Sequence, residues 1–243
     1  VKKLFDFIEA SPSQFHAIEN QKQRLLGEGY TQLFESKAWD LEAGGKYFVT
    51  RNGSSIIAFR IPKADFNGFQ IMPESAPYGF RIAASHSDAP CFKIKENPEM
   101  MSEGHYVKLN VEKYGGLICS TWFDRPLSVA GRLIVKENGK LVSKLVNVDR
   151  DLLMIPNLAI HMNREVNDGY KYSIQKDMLP LFGNEDAKGT FMDIVAEAAG
   201  VEKDAILGND LFLYNRMKGR VWGANNEFFS IGRIDDLQCA FSS

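Results

Sequence analysis

Apolar positions along the chain fall into two periods, and the change between them divides it. Near the start, Phe15, Ile18, Leu25 and Leu26 recur at helical spacing. They predict a helix over 13–27 after a shorter one over 3–9, with Ser11-Pro12 or Ser13 opening the second and Gly27 and Gly29 closing it. The period then shortens to two. Lys46–Thr50 and Ser55–Arg60 alternate about Asn52-Gly53, a pair that accepts the positive φ of a tight hairpin turn. The Pro- and Gly-rich stretch 62–79 reads as a loop, and the apolar run 80–85 as a strand that ends at His86.

Past Pro90 the pattern is short alternating strands with no helical period up to residue 150. Tyr106–Glu112 is one, and Leu127–Val135 with Lys140–Val148 forms a hairpin through Asn138-Gly139. Residues 151–185 are polar and irregular, with His161 among them; a long loop of this kind usually has a functional or partner-contacting role. A helix returns over 190–200, with Thr190 as its opening cap and Gly200 as its stop, and Asp210–Tyr214 reads as a strand. The chain ends a short way into a further helix after Ile234. The predicted class is α/β: a mixed-sheet domain built from 1–90 and 221–243, with a small β-barrel-like domain, 91–220, inserted in it. Few α/β strands are found for such a domain, so the sheet is expected to be incomplete, as in a truncated chain.

Composition narrows the function. The 243 residues are 44% hydrophobic and 25% charged, enough to build a real core. A net charge of −2 without basic runs gives no nucleic-acid footprint, and no apolar run approaches a membrane span. Acidic residues come too early for a signal peptide, and Cys91, Cys119 and Cys239 form no CxxC pair or even framework. The expectation is a cytoplasmic protein with small buried thiols. His16 reads as a packing or surface residue.

Candidate chemistry lies in Ser85-His86-Ser87-Asp88-Ala89-Pro90. Residues two apart on a strand share a side, so Asp88 can hold one imidazole nitrogen of His86 and leave the other for a metal. Alone this is a common strand-end pattern. The second polar cluster, Gly232-Arg233-Ile234-Asp235-Asp236-Leu237, makes it a candidate site, because Asp235 can supply oxygen ligands to the same metal.

Together with two further stretches, these motifs resemble the aspartyl aminopeptidase family of two-zinc metallopeptidases. Tyr114-Gly115-Gly116-Leu117 with Thr121-Trp122-Phe123-Asp124-Arg125-Pro126-Leu127 is similar to that family's Gly-Gly…Trp-Phe-Asp-Arg segment, and Ile160–Arg164 with Val166–Gly169 matches another of its stretches. The resemblance runs from about residue 5 to the end. It implies that His86 binds zinc, that Asp88 holds His86, and that Asp235 bridges two zinc ions, with manganese or cobalt as substitutes. Asp236 stands where the family usually has Asn. The resemblance also implies that the β insertion makes a homodimer within a larger homo-oligomer, and that His161 enters the neighbouring active site to hydrogen-bond the carbonyl of a peptide substrate. The Trp-Phe-Asp-Arg segment is expected to be architectural, a packed aromatic and an ion pair joining the domains.

The family's catalytic glutamate and its remaining ligands follow the Asp-Asn-Leu motif, so this chain is expected to be an N-terminal portion that is inactive alone. The function implied is removal of N-terminal, possibly acidic, residues from peptides. The alternative is a non-catalytic dimerisation or assembly module. A related dinuclear amidase acting on acylated amino acids would leave the Trp-Phe-Asp-Arg segment unexplained.

Overall fold

A computed structural model describes residues 1–62 and 81–243. The described chain divides into two units, Val1–Asp88 with Asp235–Ser243, and Ala89–Ile234. The expected loop at 62–79 lies almost wholly outside the described residues. The second chain crossing falls later than the expected 220/221, because residues 221–234 group with the β unit.

In the first unit, helix α1 spans Lys2–Glu9 and α2 spans Gln14–Gly27. Phe7, Ile8, Phe15, Ala17 and Ile18 are buried. Leu26, expected on the same face, is exposed, since the helix has left the core by its last turn. Ser13 sits at the N-cap but makes no capping hydrogen bond; its hydroxyl pairs with His16 Nδ1 at 2.8 Å. Strands β1 (Thr31–Leu33), β2 (Lys46–Arg51) and β3 (Ser55–Arg60) form a mixed sheet, parallel between β1 and β2 and antiparallel between β2 and β3. Asn52 and Gly53 have φ of 53° and 63°, the left-handed pair that a tight hairpin demands.

Of the strand expected at 80–85, the described residues 81–85 are not in a strand. Residues 81–89 join no ladder among the described residues, and Ile82 is 83% exposed. An apolar run gives strand propensity, but a strand exists only where a neighbour supplies the paired hydrogen bonds.

The second unit is built on β4 (Cys91–Ser102), β5 (Tyr106–Tyr114), β6 (Leu127–Glu137) and β7 (Lys140–Asn147). A one-turn helix α3 (Ile174–Asp177), strand β8 (Leu181–Asn184), helix α4 (Phe191–Ala199) and strand β9 (Ile206–Asn215) follow. Its main sheet runs β7-β6-β9-β4-β5-β8, with the described pairings all antiparallel. β4 and β6 are longer than the short strands predicted. β7 stands at one edge of this sheet; at the other, Leu181 of β8 bridges Met154, and the adjoining Leu153 bridges Leu127 of β6, so a short segment links the β8 edge back to β6. Strands β10 (Arg220–Trp222) and β11 (Phe228–Ser230) pair separately.

The core of this unit gathers Phe92, Leu109, Val111, Leu127, Leu133 and Leu211, all fully buried. A Cβ on Gly131 would lie 1.9 Å from the Asp210 carbonyl oxygen, so glycine is required where β6 passes β9. β4 meets β9 through one register pair, Lys93 with Phe212. Charge reinforces that junction: Asp210 accepts Arg132 Nε at 3.0 Å and pairs with Lys93 at 3.1 Å. Burial pushes the Asp210 carboxyl up, but these two cations outweigh it and hold it below the ordinary range. Helix α4 starts after Thr190 as expected, yet a distant residue caps it. Glu99, beyond the irregularity in β4, accepts the Phe191 N–H at 2.8 Å and also the Gly189 N–H. Gly200 closes the helix in left-handed conformation, φ 63° and ψ 43°.

Candidate metal centre

The candidate site lies in the first unit. His86 and Asp88 stand on the extended stretch after residue 80, and Asp235 and Asp236 stand in the first turn of helix α5 (Ile234–Ser242). The packing of α5 holds the two acids in place. Leu237 and Ala240 are buried, Gln21 of α2 donates to the Ala240 carbonyl at 3.0 Å, and Arg24 stacks over the Phe241 ring at 4.3 Å. Asp235 and Asp236 themselves depart from helical dihedrals, and the peptide between them is cis. Because those dihedrals are not helical, the two side chains do not follow the ordinary helical spacing.

His86 lies between carboxylates. Its Nδ1 faces Asp88, 3.2 Å from Oδ1 and 3.1 Å from the backbone oxygen. Its Nε2 faces Asp235 Oδ1 at 3.2 Å and Asp236 Oδ2 at 3.9 Å. Asp236 also accepts the backbone N–H of His86 at 3.0 Å. Burial pulls the imidazole pKa down, but the Asp88 carbonyl and the charges of Asp88 and Asp236 outweigh it, so His86 titrates above its ordinary value. The Asp236 carboxyl is held below its ordinary value, first by a hydrogen bond from Cys239 and then by the His86 N–H. The same contact raises the Cys239 thiol.

The structure thus brings together His86, Asp88 and Asp235, three of the four residues singled out from the sequence. His161 lies in the other unit, exposed within residues 156–173. Sequence reasoning noted Asp236 only as a departure from the family pattern and missed that it holds the His86 backbone. It also took Cys239 for a buried thiol, whereas Cys239 is exposed and Cys91 and Cys119 are half-buried.

Donor chemistry fits zinc in part. Two donors each about 2.0–2.2 Å from one ion must lie within roughly 4 Å of each other. His86 Nε2 and Asp235 Oδ1 meet that at 3.2 Å, with Asp88 on the other ring nitrogen, the arrangement that orients a metal-binding histidine. Among the described residues no group of three or more His, Cys, Asp or Glu is arranged to hold a metal ion. Among the described residues this pair offers one nitrogen and one oxygen donor, fewer than the three protein ligands of a typical catalytic zinc.

A histidine–carboxylate pair with these separations has the donor types of a divalent-metal site. The family model for aminopeptidase I zinc metalloprotease (M18) matches residues 7–243, and the chain belongs to that family. It is 48% identical over 243 residues to the probable M18 family aminopeptidase 2 of Clostridium acetobutylicum, a match covering 98% of this chain and 54% of that protein. The chain thus spans about half the length of the curated relatives it matches. Among solved structures it is similar to one in the Ape4 and Nbr1 complex, with a TM-score of 0.83 and 34% identity over 93% of this chain and 46% of that one. It is also similar to the S. cerevisiae mApe1 dodecamer, with a TM-score of 0.77 and 25% identity over 99% of this chain and 53% of that one.

Proposed function

We propose that this chain is the N-terminal portion of a zinc-dependent aminopeptidase, and that it contributes two ligands to a metal site completed by residues outside it. The observation that carries this reading is the approach of His86 Nε2 to Asp235 Oδ1 at 3.2 Å, with Asp88 on the opposite ring nitrogen. In this reading His86 and Asp235 would hold zinc. Bound zinc lowers the pKa of a water and polarises a peptide carbonyl. Asp88 keeps the Nδ1 proton and so presents Nε2 unprotonated. Asp236 fixes the backbone beneath the imidazole.

The β unit dimerises, and His161 of one copy donates a hydrogen bond to the substrate carbonyl held by another as negative charge grows on that oxygen. Support for a homo-oligomer comes from the mApe1 dodecamer. The reaction we assign is removal of N-terminal residues, acidic ones among them, from peptides. We assign hydrolysis to the whole protein rather than to this chain by itself, since two ligands are fewer than the three of a typical catalytic zinc.

The test is a chimera in which this chain is followed by the C-terminal portion of the Clostridium acetobutylicum relative. It is assayed for release of the first residue from Asp-, Glu- and Leu-peptides with zinc, manganese or cobalt. Turnover lost on His86→Ala supports the reading. No turnover by a folded, oligomeric chimera on any of the three rejects it and favours an assembly module.

A further inference from the structure

The Trp-Phe-Asp-Arg segment was expected to make an ion pair joining the two domains, and its contacts are of another kind. Arg125 reaches Met217 Sδ at 2.7 Å. The Asp124 carboxylate accepts the Asn157 N–H at 2.9 Å, while its own N–H donates to the Ile155 carbonyl at 3.0 Å. Asp124 therefore grips the backbone on both sides of Pro156. Its φ of +55° is in the left-handed region, which Asp and Asn tolerate better than most residues. Phe123, 8% exposed, forms a bridge with Ile155, and its ring lies 5.0 Å from that of Tyr172.

Between those two contacts lies the segment that carries His161. Leu158, Ile160 and Met162 are 60%, 48% and 76% exposed, and backbone hydrogen bonds over 159–168 close within the segment itself. Its exit is fixed again beyond Tyr172: Asp177 accepts the Ser173 N–H at 2.6 Å and the Tyr170 hydroxyl at 3.3 Å.

We infer that Phe123 and Asp124 are positioning residues that clamp the entry and exit of residues 156–173, and so set where His161 is presented. Two adjacent residues hold both ends of an exposed stretch that has little packing of its own. This explains a motif that the candidate metal centre does not use. The aminopeptidase reading enters only in what His161 then does; the clamp stands without it.

Amide hydrogen exchange on the 243-residue chain tests the clamp without any activity measurement. Asp124→Gly keeps the left-handed backbone but removes the acceptor, and Asp124→Asn keeps both. We expect Asp124→Gly to speed exchange over 157–166 by roughly tenfold, as loss of a hydrogen bond to a charged acceptor would. β6 and β9 should be unchanged, and Asp124→Asn should be close to wild type. Phe123→Leu keeps an apolar plug without the ring against Tyr172 and should speed exchange severalfold over 170–174. Unchanged exchange in Asp124→Gly, a uniform rise across the whole β unit, or equal effects of Gly and Asn would overturn the clamp. Hydrolysis or its absence in the chimera leaves each of these outcomes as it is, so the two ideas fail separately.

Discussion

Acidification should weaken the first unit through one side chain, His16. Burial holds its imidazole neutral, with the pKa pulled down to about 4 from an ordinary 6.5, while Ser13 occupies Nδ1 at 2.8 Å. The unfolded chain takes up this proton more readily than the folded one. Stability is therefore full above pH 6.5 and drains away as pH falls toward 4. Between pH 7 and 5 the linkage amounts to about 2 kcal/mol, and to about 3 kcal/mol once pH is below 4. For a chain of this size 2 kcal/mol corresponds to roughly 4–8 °C in Tm. His86 acts with the opposite sign, since its raised pKa adds stability below pH 6.5 that is lost at higher pH. The lowered carboxyls of Asp210 and Asp236 matter only nearer pH 4. Comparison with His16→Gln, which keeps a polar partner for Ser13 and cannot titrate, cancels these distant contributions. Thermal unfolding of both proteins at pH 7 and 5 should show the wild type losing about 2 kcal/mol more than the variant. Equal losses in the two proteins would refute the assignment.

Other perturbations read other parts of the molecule. Gly131→Ala should destabilise the β unit by about 2–3 kcal/mol in urea unfolding, because the new Cβ meets the Asp210 carbonyl; an unchanged midpoint would contradict that packing. Glu99→Ala should cost about 1–2 kcal/mol and speed exchange in the first turn of α4, where Glu99 accepts the Phe191 N–H. Zinc titrated into the chain should show one weak site that vanishes in His86→Ala, whereas two tight sites would mean that ligands outside this chain are not needed. In mixed oligomers of the chimera, His161→Ala and His86→Ala subunits should together recover part of the activity each lacks, and no recovery would remove the trans role of His161.

Local chemistry was enough to read α1, α2 and α4 and the hairpins at Asn52-Gly53 and Asn138-Gly139, whose positive φ values appear at the expected residues. Helical period, stop glycines and turn dipeptides act over a few residues, so they survive whatever the rest of the chain does. His86, Asp88 and Asp235 were picked out by motif, and the structure places Asp88 and Asp235 at opposite nitrogens of the His86 ring. Pairing across long separations is different. The run before His86 had the composition of a strand but joins no ladder among the described residues, Glu99 became the cap of a helix far along the chain, and β4 met β9 at one register pair tied by Asp210. Asp236 reached the His86 backbone, and Phe123 and Asp124 reached both ends of the His161 segment. Each of these contacts depends on which surfaces the packed core brings together, and side-chain type alone does not encode that distance. The residue letters of this chain named its chemistry, and only the packing decided which atoms face one another.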